Sequence, residues 1–88
     1  MYKIFYTNQA FKQVKNKIKN TQFEGKVKQL IDIIKQSPYQ TPPPYEKLLG
    51  EYKNTYSRRI NVKHRLVYEV FEELKSIKIV SVWTHYEI

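Results

Sequence analysis

The sequence predicts an α+β fold in which two N-terminal helices pack on one face of a twisted antiparallel β-sheet. Three observations favour this fold class. Apolar residues recur at helical spacing between residues 8 and 36, strand-like alternation follows from residue 55 onward, and a proline-rich segment separates the two regions. The chain has 88 residues with no linker or internal repeat, so residues 1–88 are expected to form a single domain.

The N-terminal half predicts one strand and two helices. Residues 2–6 are rich in β-forming side chains and predict a short first strand. A first helix is expected over residues 8–20, where the apolar positions are Ala10, Phe11, Val14 and Ile18. Thr21 and Glu24 fit a capping box that would begin a second helix at Thr21. Pro38 ends that helix because the residue before a proline avoids the α conformation.

The C-terminal half predicts the rest of the sheet, giving the order β-α-α-β-β-β with one optional extra strand. The strands are expected at residues 46–49 (the optional one), 55–62, 65–71 and 78–86. Because successive side chains alternate along a strand, Arg58 and Arg59 should lie on opposite faces, as should Ile79 and Val82. A turn is expected at residues 61–64. The helices cover one face of the sheet, and the other face is expected to be open to solvent.

Composition limits the classes of function. The chain carries 16 Lys+Arg and 8 Asp+Glu, a formal net charge of +8. This favours nucleic acid, an anionic membrane surface or an acidic protein as a partner, and a charged surface that serves only solubility is the alternative.

The absence of Cys excludes disulfides and thiolate metal sites. No apolar run approaches the ~20 residues of a membrane span, and residues 1–6 lack the apolar region of a signal peptide. A cytoplasmic protein is therefore expected.

Several residues are candidates for chemistry: Glu46, Arg58, Arg59, His64, Arg65, His85 and Tyr86. Taken singly, residues of these types usually belong to an ordinary protein surface. As a set they match the needs of RNA cleavage by a 2′-hydroxyl, which requires a base, an acid and cations around the phosphate. Glu46 and His85, with Arg65 or Arg59, can fill these roles without a metal ion. The sequence shows no carboxylate cluster of the kind that holds two metal ions.

Residues 56–70 read YSRRINVKHRLVYEV and closely resemble the signature strand pair of YoeB/Txe toxins. The Glu-Lys-Leu run at residues 46–48, which follows a Pro-Tyr turn, and the His-Tyr pair at residues 85–86 resemble the same family. The resemblance covers essentially the whole chain. It implies a toxin of a type II toxin–antitoxin system in the RelE superfamily, with the microbial-RNase-like fold.

The resemblance also implies an activity and a site. The activity is ribosome-dependent cleavage of mRNA in the A site, which leaves a 2′,3′-cyclic phosphate and needs no cofactor. Glu46 matches the general base, His85 the general acid, and Arg65 the arginine that stabilises the transition state. Substrate contacts are expected from Arg59, Tyr86, Lys47 and Arg58. His64 carries no implied catalytic role and is expected in the turn.

Three features depart from the family pattern and leave the level of activity open. A family lysine is replaced by Leu49, and Lys47, which has the same strand parity, is expected to substitute for it. Pro42–Pro44 replace a glycine-containing approach to the glutamate. Glu87–Ile88 extend the chain beyond the His-Tyr pair.

The resemblance implies three partners: the 70S ribosome with mRNA, a cognate acidic antitoxin like YefM or Axe, and a second copy in a homodimer. No membrane partner is expected. The related ParE branch shares the fold and targets DNA gyrase. A RelE/ParE-like toxin that acts by binding a target without cleaving RNA is therefore the alternative. The set of Glu46, Arg65 and His85 favours the nuclease.

Overall fold

The structure is a computed structural model that describes residues 1–50 and 53–85, with residue 85 described by its backbone alone. Its elements are β1 (Lys3–Tyr6), α1 (Asn8–Gln13), a π-helical turn (Val14–Ile18), α2 (Glu24–Gln36), β2 (Glu46–Lys47), β3 (Thr55–Arg59), β4 (His64–Phe71) and β5 (Ser76–His85). The predicted fold class and element order are confirmed, including the optional strand, which is β2. The predictions for Tyr86 and for Glu87–Ile88 lie outside the described residues.

The sheet has the strand order β1-β5-β4-β3-β2. Every neighbouring pair is antiparallel except β1 and β5, which run parallel with Ile4 opposite Ile77 and Tyr6 opposite Ile79. The prediction of a purely antiparallel sheet is therefore corrected to a mixed one. The reason is topological: the two helices carry the chain from β1 to the far edge of the sheet, and β5 returns to pair with β1. Side-chain periodicity carries no information about that direction.

The core lies between the two helices and one face of the sheet. Its most buried apolar side chains, each at most 2% exposed, are Ala10, Ile18, Val27, Leu30, Ile34, Leu66, Tyr68, Val70, Ile77, Ile79 and Val82. Burying a side chain of the Leu, Ile or Val type stabilises the fold by about 1.5–3 kcal/mol relative to leaving it exposed. Within the described residues, neither helix combines the length and the apolar character that crossing a bilayer would require.

The junction between the helices differs from the predicted one. α2 begins at Glu24, three residues later than expected. The Thr21 hydroxyl accepts a hydrogen bond from the Phe23 N–H at 3.2 Å and donates to the Ile18 carbonyl. Thr21 thus shapes the turn that leaves the first helical segment, and the predicted capping box is wrong.

Strand β5 contains two bulges against β4. The paired residues are Tyr68 with Ile79, Val67 with Ser81, and Arg65 with Thr84. β5 therefore has one extra residue between Ile79 and Ser81 and another between Ser81 and Thr84. An inserted residue of this kind reverses the alternation of side chains along the strand. As a result Ile79 and Val82 both face the core, whereas strict alternation predicts opposite faces.

Candidate active site

The sheet face that the helices leave uncovered combines a buried floor with a charged rim. Its buried residues, each less than a tenth exposed, are Thr55, Ser57, Arg65 and Val67. Glu46 and Arg59 are exposed on the same face. The face is therefore only partly open to solvent, in contrast to the prediction. Charges beside buried residues interact more strongly than charges surrounded by water, because the local dielectric constant is lower.

Strand register brings the candidate residues of three strands together. Glu46 of β2 lies opposite Ser57 of β3. Two residues further along β3, Arg59 lies opposite Arg65 of β4. Because positions two apart share a face and paired residues are direct neighbours, all four side chains belong to one face of the sheet.

Arg65 and Glu46 form an ion pair on this face. The Arg65 Nη2 atom lies 3.3 Å from the Glu46 Oε1 atom, and Nη1 donates to the Ser57 hydroxyl at 3.4 Å. The Arg65 side chain is 8% exposed and that of Glu46 is 54% exposed. The guanidinium is therefore held in the sheet surface, while the carboxylate remains accessible to a ligand. Such a half-exposed pair contributes little stability, so its effect is chiefly to orient the two groups.

The ion pair opens into a cavity of about 220 Å³. The residues that line it are Pro44, Tyr45, Glu46, Arg59 and Arg65. This volume is below the roughly 300–1,000 Å³ that is typical of pockets for small molecules. Two guanidinium groups and one carboxylate line the cavity, so it can accept a small anionic group, with further contacts left to the surface around it.

The end of β5 approaches the site from the other side of β4. Thr84 lies opposite Arg65, and the backbone of His85 lies opposite His64. The predicted acid is therefore one residue beyond the register partner of Arg65. The predicted contact residue Tyr86 lies outside the described residues.

His64 begins strand β4, although the sequence predicted it in the preceding turn. Its backbone N–H donates to Asn61 Oδ1 at 2.8 Å, which closes the turn. Its ring stacks on Trp83 of β5, with the ring centres 3.7 Å apart and the planes 9° apart. The stacked pair fixes the end of β4 against β5 beside the register position of His85.

Arg58 does not lie in the site. Its side chain is fully buried on the core side of the sheet, as the predicted opposition to Arg59 allows. Its guanidinium donates to the Tyr68 hydroxyl and to backbone carbonyls of residues 38–43. A substrate cannot reach this group in the folded protein, so the predicted substrate-binding role of Arg58 is replaced by a structural one.

Lys47 is also separate from the cavity of Glu46. It lies opposite Tyr56 in register, and successive residues of a strand point to opposite sides. Lys47 and Leu49 line another depression, which lies apart from Arg59 and Arg65. Leu48 lines it too and β2 ends at Lys47, so the predicted shared parity stays a prediction. The structure therefore does not bring the predicted substrate contact of Lys47 to the ion pair.

Two positions next to the candidate residues were not predicted from the sequence. Ser57 holds Arg65, and Tyr45 lines the cavity beside Glu46. Ser57 could have been found, because it lies two residues before Arg59 and therefore shares its face. Among the described residues, no three His, Asp or Glu side chains come together as a metal site would require.

Comparison with known proteins shows both sequence and fold similarity. Residues 6–86 match the family described as YoeB-like toxin of bacterial type II toxin–antitoxin system. A chain of the heterotetrameric YoeB–YefM toxin–antitoxin complex from Staphylococcus aureus is 34% identical, with 98% of this chain and 99% of that chain covered and a TM-score of 0.80. The YoeB dimer from the same organism is 34% identical, with 97% and 98% covered and a TM-score of 0.79.

A more distant structure shares the fold alone. A chain of the intact RelBE toxin–antitoxin complex from E. coli is 20% identical, with 99% of this chain and 100% of that chain covered and a TM-score of 0.78. A search of curated proteins found no match.

Proposed function

The chain belongs to the YoeB-like toxins of bacterial type II toxin–antitoxin systems, and on this basis we propose that it is a ribosome-dependent endoribonuclease that cleaves A-site mRNA. The observation that carries the proposal is the pairing of an exposed Glu46 carboxylate with a largely buried Arg65 guanidinium in one cavity. Cleavage of mRNA on the ribosome would inhibit translation, and the proposed site of action is the cytoplasm. We propose that residues 1–88 act as a single toxin domain.

The proposed reaction is an in-line attack of a ribose 2′-hydroxyl on the adjacent phosphorus. Glu46 accepts the proton of the 2′-hydroxyl as the new O–P bond forms. The bond from phosphorus to the 5′-oxygen breaks, and His85 donates a proton to that oxygen. The products are a 2′,3′-cyclic phosphate and a 5′-hydroxyl. One proton is taken and one is given, so these residues complete the proton balance of the step.

The guanidinium groups supply the electrostatic part of the mechanism. Negative charge develops on the phosphate oxygens in the transition state, and donors that are already in place stabilise it without reorganisation. Arg65 meets this condition because the Ser57 hydroxyl and the Glu46 carboxylate hold it. Arg59 is exposed at the rim of the cavity and is proposed to bind the phosphate as substrate enters. Tyr86 is proposed to help orient the substrate beside His85.

The net charge of +8 supports two kinds of partner. We propose that basic side chains bind the RNA backbone of the 70S ribosome, which anchors the toxin without reading sequence. We also propose a cognate acidic antitoxin that covers the same surface. Similar chains occur in a YoeB–YefM complex and in a YoeB dimer, and we extend both kinds of assembly to this chain as proposals.

The test is cleavage of mRNA by the purified protein, with and without 70S ribosomes, followed by mapping of the ends. Wild type is expected to produce cyclic-phosphate ends only when ribosomes are present. Glu46→Gln, Arg65→Met and His85→Ala should each lower the rate by about 100-fold or more, the range for a lost acid or base and for a lost group that stabilises the transition state. Glu73→Gln, in the distant turn between β4 and β5, is the matched control and should cleave as wild type does.

Two results would contradict the proposal. If all three variants cleaved mRNA as fast as wild type, the residue assignment would be wrong. If wild type cleaved no mRNA on ribosomes but still arrested growth, a toxin that acts by binding its target would replace the nuclease. Inhibition of purified gyrase would then identify the ParE-like alternative.

A further inference from the structure

Arg58 is a charged side chain with no exposed surface. A guanidinium in a protein interior is tolerated only when its N–H groups have acceptors, since leaving a buried donor without a partner costs about 1–3 kcal/mol and more for a charged group. Its partners among the described residues are carbonyl oxygens, the Tyr68 hydroxyl and aromatic rings. The identity of these partners indicates what the side chain does.

Three of the hydrogen bonds from Arg58 go to one connecting segment, residues 38–45. The Nη2 atom donates to the carbonyls of Pro38 at 3.0 Å and Gln40 at 2.9 Å. The Nη1 atom donates to the carbonyl of Pro43. One guanidinium therefore holds the segment near its beginning and near its end.

Aromatic contacts complete the attachment of the segment. The central carbon of the Arg58 guanidinium lies 5.1 Å from the ring centre of Tyr45, within the distance of a cation–π interaction. Tyr68 accepts from Arg58 Nε at 3.1 Å and donates to the Pro38 carbonyl at 2.7 Å. Burial raises the pKa of the Tyr68 hydroxyl, so this donor stays protonated at neutral pH.

The segment needs such an attachment because of its composition. All four prolines of the chain lie in it, at positions 38 and 42–44, and proline has no N–H to donate. Its carbonyls must therefore find donors elsewhere. The following strand β2 has only two residues, so its own pairing holds it weakly. Glu46 is the first of these two residues and directly follows Tyr45.

We infer that Arg58 is a positioning residue for Glu46: by holding residues 38–45 on the core side of the sheet, it sets where the carboxylate meets Arg65. Its effect on catalysis rests on the proposed function, whereas its effect on the place of β2 rests on the contacts alone. Arg58 does not touch substrate.

The catalytic test compares Arg58→Met and Arg58→Lys with Ile77→Ala. Ile77 is fully buried at the opposite end of the sheet and controls for a general loss of stability. At a temperature where circular dichroism shows every variant folded, Arg58→Met should lower kcat for ribosome-bound mRNA by about 10- to 100-fold, because displacement of a catalytic group by about 1 Å has effects of this size. KM should stay within about twofold. Arg58→Lys should fall between wild type and Arg58→Met, and Ile77→Ala should keep the wild-type kcat.

A second measurement does not depend on catalysis. Hydrogen exchange of the amides of residues 45–48 should be faster in Arg58→Met than in wild type, relative to the amides of β5. Ile77→Ala should not show this local change. If Arg58→Met fails to fold, Tyr68→Phe takes its place, since it removes the hydroxyl that joins Pro38 and Arg58. Its effect should be smaller and in the same direction.

Each outcome decides a separate point. Wild-type exchange at residues 45–48 in the folded variants would overturn the inference, and so would an unchanged kcat. A loss of kcat that merely followed melting temperature, equally in Ile77→Ala, would also overturn it. If wild type itself failed to cleave mRNA, the proposed function would be wrong, and the exchange measurement would still decide whether Arg58 positions β2.

Discussion

At the scale of single residues, two neighbouring arginines have opposite roles. Arg58 is fully buried and holds a connecting segment, whereas Arg59 is exposed at the rim of the cavity. Because they are adjacent in β3, their side chains point to opposite faces of the sheet. The same rule places Ser57 with Arg59, and the Ser57 hydroxyl is one of the contacts that orient Arg65.

Ser57→Ala tests whether that contact matters for catalysis. Loss of the hydroxyl removes one acceptor from the Arg65 Nη1 atom without changing the charge of the site. We expect kcat for ribosome-bound mRNA to fall about two- to tenfold, the effect of roughly 0.5–1.4 kcal/mol. Ser76→Ala, in β5 at the far end of the sheet, should leave kcat unchanged. Equal rates for Ser57→Ala and wild type would mean that Arg65 keeps its catalytic position without this hydrogen bond.

At the scale of elements, helix α1 provides a hydrogen-bond acceptor to the edge of β5 beyond the end of β1. β1 ends opposite Ile79, and beyond that point the described residues provide no strand on this edge of β5, while β4 continues along the other edge. Gln13 Oε1 accepts hydrogen bonds from the Val82 N–H at 2.8 Å and from the Ser81 hydroxyl at 2.9 Å. The helix thereby satisfies an edge that would otherwise depend on water.

Gln13→Ala should destabilise the protein for this reason. The backbone N–H of Val82, a fully buried residue, would lose its acceptor, at a cost of about 1–3 kcal/mol. The free energy of unfolding in urea measures the loss. Gln9→Ala, at an exposed position of the same helix, is the matched control and should change stability by less than about 0.5 kcal/mol. Equal stability of the two variants would show that water replaces Gln13 without cost.

Glu72, in the turn between β4 and β5, connects that turn to the residue before β1 and to the segment that follows α2. Its Oε1 atom accepts from the hydroxyls of Tyr2 at 2.8 Å and Tyr39 at 3.1 Å, and its Oε2 atom accepts from Lys75 at 3.3 Å. The bond from Tyr2 is the main cause that lowers the pKa of Glu72 below its ordinary value, with Tyr39 and Lys75 acting in the same direction. The ionised carboxylate thus favours the folded state.

The stability that Glu72 supplies should depend on pH with a definite sign. Because its pKa is lower in the folded state, the contribution is present above the ordinary carboxyl pKa of about 4.3 and is lost as the pH falls through the folded-state value. Wild type should therefore exceed Glu72→Gln in its urea midpoint at about pH 7, and the difference should shrink on acidification below about pH 4. Glu73→Gln, which removes a negative charge from the same turn, is the matched control. A difference that stayed constant down to pH 3 would contradict the linkage.

At the scale of the whole molecule, the net charge of +8 is concentrated partly on the first helical segment. The exposed lysines of α1 and the π-helical turn are Lys12, Lys15 and Lys17, and the exposed Lys19 directly follows the turn. Replacing all four by Gln should reduce the slope of log K against log salt for 70S ribosome binding by up to about 3.6, because each phosphate contact contributes about 0.7–0.9. The matching Lys→Arg variant keeps the charge and should keep the slope. Cosedimentation over a range of salt concentrations measures both, and identical slopes for the Gln variant and wild type would exclude this segment from the contact.

The fold and the candidate site differ in how far the sequence reveals them. Helical spacing and strand alternation located the elements to within a few residues, and parity separated Arg58 from Arg59. The alternation of side chains could not predict whether Arg58 or Arg59 faces the core, because both faces of β3 carry polar residues. The β5 bulges were also missed, since an inserted residue leaves no mark in a mostly apolar stretch such as residues 79–83.

By itself, the sequence determined the α+β class, the order of the elements, the family and the residue types available for chemistry, because these follow from local periodicity and from a contiguous motif. Tertiary structure alone decided that β1 runs parallel to β5, that Arg65 meets Glu46 across strand β3, and that Arg58 turns inward to hold the proline-rich segment. These features depend on partners 15 or more residues apart, such as Arg58 and Pro43 or Arg65 and Glu46. Only the packed sheet brings such partners within the length of a hydrogen bond.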